Sequence, residues 1–183
     1  MQLTSTYKLS IDSTFSENEL LNGNYIVVMH ATRIPPHIGL IVDKHYHSLT
    51  IKGQDINTPI AALVKNIQLR KLPSLFIKIK DEKSVANVSQ RESFISNIKQ
   101  FPRVDIGVAT CLSPIKLFFK EVYNVDVNEI NFLFELLPLL YSKGLIENTS
   151  SLFVDEANYE LPIYSSNEIN AGITQVREEF RKN

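Results

Sequence analysis

Residues 35–50, PPHIGLIVDKHYHSLT, constrain the fold more than any other stretch of the chain. Two apolar runs, HIGLIV (37–42) and HYHSLT (45–50), are separated only by Asp43-Lys44. A connection of two residues joins antiparallel neighbours, because parallel strands need a crossover many times longer. The chain must therefore make a β-hairpin here. Pro35-Pro36 ahead of it forces an extended entry, since proline fixes φ and pushes its predecessor out of the α region. The same stretch carries three of the four histidines, His37, His45 and His47, at positions that ordinary core residues could fill.

Further strands are expected at YIVVMH (25–30) and SLFIKIK (74–80), with weaker ones at TYKLSI (6–11), VDIGVA (104–109) and within SLFVDEANYELPIY (151–164). Helices are expected at SENELLNG (16–23), between a Ser16 cap and a Gly23 stop, and at 58–70, where Thr58 caps and Pro59 takes the first helical position. DEKSVANVSQ (81–90) reads as a loop, followed by a helix over 91–101 and another over NEINFLFELL (128–137), ended or kinked by Pro138. A last helix opens with a Ser165/Glu168 capping box and aligns Ile169, Ile173, Val176 and Phe180 on one face, suited to packing on the domain or docking a partner. Strands gathered ahead of helices give an α+β fold.

The 183 residues suit a single domain, and a formal charge of −1, from 19 basic against 20 acidic residues, supplies no field to attract a polyanion. Nucleic acid is not an expected partner. The N-terminus lacks the features of a secretory signal, and the most apolar run, INFLFELLPLLY (130–141), is interrupted and too short to cross a bilayer. A cytoplasmic protein without a transmembrane segment is the expectation.

Cys111 is the single cysteine, so any chemistry at sulfur must use this atom. Ile115, Phe118, Phe119 and Val122 fall at i, i+3, i+4 and i+7, the spacing of one helical face just after Cys111. A thiol near a helix N-terminus tends to a lowered pKa, and a neighbouring neutral imidazole can take its proton, the minimum apparatus for attack on a carbonyl. Ser113-Pro114 marks the helix start and sets Cys111 two residues ahead of a Ser113 cap, which weakens the dipole contribution. The competing reading is a buried structural thiol, which is what most free cysteines are. HYH (45–47) has a poor spacing match for zinc and no cysteine pair to support it.

Together, HIGLIVDKHYHSLT and GVATCLSPIKLFF (107–119) resemble the circularly permuted papain-like cysteine hydrolases, the NlpC-related group that includes lecithin retinol acyltransferase-like and desumoylating-isopeptidase-like families. In that group a His-x-Gly strand and its return strand precede a cysteine at a helix start. His37-x-Gly39 and Cys111 match this order, over roughly residues 24–125, leaving 126–183 as a C-terminal extension with additional helices. The resemblance implies a small antiparallel sheet packed on the cysteine helix, Cys111 as nucleophile, His37 as general base, a peptide, amide or acyl-ester substrate, and no cofactor or metal. Relatives often add a polar residue on the return strand to orient the imidazole. The family's chemistry favours His47 there, while a two-residue turn brings Tyr46, Ser48 and Thr50 to the face of His37, and some relatives use the Cys–His pair alone. A binding or assembly module on the same scaffold, or a lipid acyltransferase, are the alternative functions.

Overall fold

The computed structural model describes residues 7–81 and 87–182. Its order is α1 (Glu17–Leu20), β1 (Asn24–Met29), β2 (His37–Val42), β3 (His45–Leu49), β4 (Gln54–Pro59), α2 (Ile60–Arg70), β5 (Ser74–Ile79), α3 (Asn87–Lys99), α4 (Ser113–Tyr123), α5 (Leu133–Ser142), β6 (Ile146–Leu152) and α6 (Ser166–Arg181). The described residues form an α+β fold whose strands make one sheet in the order β4-β3-β2-β1-β5-β6, every neighbouring pair antiparallel.

The period-2 alternation of strands divides the core in two. Ile26, Val28, Ile38, Leu40, Leu75 and Ile77 face one way, onto Phe94 and Ile98 of α3, Ile115, Phe118 and Phe119 of α4, and Leu133, Leu136, Leu137 and Leu140 of α5. Tyr25, Val27, Met29, Ile41, Tyr46 and Phe76 face the other way, onto Ile60, Leu63, Val64 and Ile67 of α2. This two-sided cover explains why residues 25–29 of β1 read as one apolar run, with all six residues of the strand buried. Helix α2 supplies the second layer because it leaves β4 at one edge and crosses the sheet to reach β5 beside β1. Residues 126–183 are built into the same unit, since α5 fills the core and β6 pairs along β5.

The hairpin forms with Val42 paired to His45 and with Asp43 and Lys44 both at positive φ, 47° and 64°, the twist that matches a two-residue connection. Several other segments depart from their expected form. Residues 7–11 are not a strand, and Thr6 lies outside the described residues; the N–H groups of Asp12 and Ser13 instead donate to the Thr149 carbonyl, each at 3.1 Å. Residues 104–109 make a tight turn closed by an Asp105–Ala109 bridge, and the last strand lies at Ile146–Leu152, earlier than 151–164 suggested. Thr58 and Pro59 belong to β4, which moves the start of α2 to Ile60, and α3 already begins at Asn87 inside the expected loop. Helix α5 begins late, where the Glu135 carboxylate accepts from the N–H groups of Asn131 and Phe132, and it carries Pro138 inside it. Only one intrahelical bond is lost at Pro138, and four fully buried leucines of α5 outweigh it. Among the described residues no helix is long and apolar enough to cross a membrane.

Candidate active site

His37 opens β2, and Cys111 occupies the turn before α4, whose N-cap is Leu112. Both line one cavity of about 620 Å³ at the end of the sheet. Its walls come from the Pro35-Pro36 entry, from Thr50 and Ile51 after β3, and from one face of α6. That helix starts at the expected Ser165/Glu168 capping box and packs on the domain: Ile173 is buried and Arg177 reaches Asp105 at 2.7 Å.

Backbone N–H groups around the Cys111 sulfur, that of Ile38 first among them, favour a thiolate. Burial acts in the opposite direction and is the larger effect, so the thiol titrates above its ordinary value. This corrects the expectation of a lowered thiol pKa. A turn that precedes the N-cap offers a few N–H groups, and they do not offset removal from water.

His37 Nε2 lies 3.2 Å from Ser48 Oγ. The register decides this contact: Leu40 pairs with His47 and Ile41 with Tyr46, so Ser48 stands across from Gly39 on the face shared with His37. Burial, and secondly His30, push the His37 imidazole down to about 4. Cys111 and His37 therefore rest as neutral thiol and neutral imidazole, and no hydrogen bond joins their side chains among the described residues.

His47 is not brought to this site. The two-residue turn sends it to the opposite face, where it is fully buried with its ring edge-on to Phe94 at 6.0 Å. The irregularity between β3 and β4 accommodates it, because Asn57, at φ 62°, donates its N–H to His47 Nδ1 at 3.1 Å. His45 donates from Nδ1 to the Asp43 carbonyl at 2.8 Å, a contact local to the turn.

Two features of the site carry little sequence signal. The Tyr46 ring lies over Gly39, so that a Cβ there would meet ring atoms at 2.4–2.6 Å. This is the reason a glycine follows His37 by two. Tyr164, buried in the irregular segment before α6, lines the same cavity as Cys111, and burial keeps its phenol protonated. Its ring is held edge-on by Phe132 and Phe134 at 5.7 and 5.3 Å. Nothing in the local sequence of Tyr164 announces proximity to Cys111.

The class defined by these observations is an α+β protein with a thiol and an imidazole sharing a cavity at one end of an antiparallel sheet. No family model matches the chain, and neither a curated protein nor a solved structure matches it.

Proposed function

We propose that this protein is a cysteine hydrolase of permuted papain-like arrangement, acting on an amide, ester or thioester. The observation that carries the reading is the shared cavity of Cys111 and His37, with His37 Nε2 already engaged by Ser48. With Ser48 accepting from Nε2–H, the lone pair lies on Nδ1, the nitrogen available as base. On approach of a carbonyl, Nδ1 takes the thiol proton as the sulfur–carbon bond forms. The tetrahedral oxyanion is met by the Cys111 backbone N–H. Its collapse breaks the bond to the leaving amine, alcohol or thiol, which takes the proton from the imidazolium. Water then attacks the acyl-thioester with His37 again as base, regenerating the thiol. The neutral resting pair delays charge separation until substrate has displaced water. Apolar walls from Leu72, Leu112, Ile169 and Ile173 suit an acyl group with hydrocarbon character.

The raised thiol pKa favours the second reading, a binding module with a structural Cys111. Intact-mass analysis after incubation with a 4-nitrophenyl acyl ester separates the two. The hydrolase reading expects one acyl adduct at Cys111, absent in Cys111→Ala and formed at least about 100-fold more slowly in His37→Gln, the usual contribution of a general base. An adduct that appears only after denaturation would make Cys111 structural.

A further inference from the structure

Beside His37, the cavity's lining includes cationic side chains at its solvent-exposed rim. Arg33 lies in the loop entering β2 and Arg70 ends α2, with Asn66 one turn earlier on the same helix face, and all three line the cavity. Neither guanidinium forms an ion pair with a described acidic side chain, whereas Arg91 holds Asp43 at 3.1 Å and Arg177 holds Asp105 at 2.7 Å. Arg33 and Arg70 both come close enough to His30, at the end of β1, to reinforce burial in holding its imidazole below the ordinary range. Lys52 adds a third cation to the lining, its ammonium 3.9 Å from the centre of the Phe180 ring, and among the described residues Glu179 is the one acidic side chain there. The negative end of α2 accounts for Arg70, but no comparable partner accounts for Arg33. Two exposed like charges from separate elements line one cavity with apolar walls, where a single anion would be attracted by both.

We propose that Arg33 and Arg70, with Asn66, form an anion subsite for a carboxylate or phosphate carried by the molecule whose carbonyl reaches Cys111. Guanidinium forks recognise either group through paired hydrogen bonds. The role of the anion as a handle on a substrate rests on the hydrolase reading; the anion site itself rests on the two arginines.

The test is titration of isotopically labelled Cys111→Ala protein with glutarate, with phenyl phosphate and with uncharged glutaramide at low salt, followed by NMR. Saturable binding of a dianion is expected to shift the His30 ring signals, to be absent for glutaramide, and to weaken about tenfold in Arg33→Gln and in Arg70→Gln, as for a charged hydrogen bond at a partly solvated site. Tighter binding of glutarate points to a carboxylate-bearing substrate, and tighter binding of phenyl phosphate to a phosphate-bearing one. Absent binding, or binding unchanged in both variants, overturns the subsite. Because Cys111→Ala has no nucleophile, the outcome is independent of the acyl-adduct experiment. Anion binding without acylation leaves the subsite standing and removes the hydrolase; acylation without anion binding does the reverse.

Discussion

Replacing Gly39 by alanine tests the geometry of the His37 strand most directly. The new Cβ would stand 2.4 Å from Tyr46 Cε2, 2.5 Å from its Oη and 2.6 Å from its Cζ, where ordinary contact begins near 3.4 Å. The ring must therefore retreat by about 1 Å, which overpacking data value at about 1–3 kcal/mol. It has little room, since Tyr46 is 2% exposed and packed among the residues that α2 covers. Gly39 is not at positive φ, so alanine also narrows the unfolded ensemble and returns about 0.4–1 kcal/mol. The expected net loss is about 1–2 kcal/mol, or a fall of about 2–8 °C in Tm for a chain of this size. Urea unfolding of Gly39→Ala, Tyr46→Leu and the double variant measures the coupling. Removing the ring should relieve the clash, so the double variant should be about 1–2 kcal/mol more stable than additivity requires. Tyr46→Phe should relieve little, because Cε2 and Cζ remain. The Tyr46 hydroxyl stands beside Ser48, so the displaced ring should also disturb the Ser48–His37 contact and, on the proposed hydrolase reading, slow acylation in Gly39→Ala. A Gly39→Ala protein as stable as the parent, with additive behaviour in the cycle, would refute the steric argument.

Acid should weaken the fold through His47 before its carboxylates titrate. Burial, then the charges of His45 and Arg91, lower the His47 pKa to about 4, so between pH 6.5 and 4 the unfolded chain binds the proton that the native protein refuses. His47 should lower stability by up to about 1.4 kcal/mol per pH unit through that window and His37, also lowered to about 4, by a similar amount, so His47→Gln should remove about half of the slope; an NMR titration of His47 centred near 6.5 would contradict this. Native Cys111 should react with iodoacetamide only as pH rises above the free-thiol value of about 8.5, and a profile centred below it would show a thiolate that burial does not permit. If His37 is the base as proposed, Ser48→Ala should slow acylation of Cys111 about 10- to 100-fold with less effect on substrate KM, whereas His47→Gln should leave that rate near the parent's under conditions where it is folded. Gly172→Ala should displace α6 from the cavity wall, because its Cβ would stand 2.5 Å from Pro35 Cδ, and limited proteolysis within α6 should quicken.

The candidate pair was legible from residue type and order. A histidine at the head of an apolar strand and a cysteine before an amphipathic helix both lie where local sequence suggested, and the helix face Ile115, Phe118, Phe119 and Val122 is buried as its spacing required. The third partner was legible only in part. Counting residues around Asp43-Lys44 leads to Ser48, and chemical analogy leads to His47; the backbone geometry of the turn, with both residues at positive φ, separates the two.

What the sequence by itself determined is local: a two-residue turn that must produce an antiparallel hairpin, a capping box that starts α6, and alternation that assigns each strand residue to a face. These follow from interactions within a few residues, which the chain carries wherever it folds. Tertiary structure alone decided which charges and cavities those elements share. It set burial against the backbone N–H groups around Cys111, and burial raises the thiol above its ordinary value. It also set Tyr164, Cys111, Arg33 and Arg70, from elements far apart in the chain, on the lining of one cavity. A pKa or a binding site depends on the summed field and solvent exclusion of every neighbour, and those neighbours are chosen only when the sheet order and its covering helices are in place.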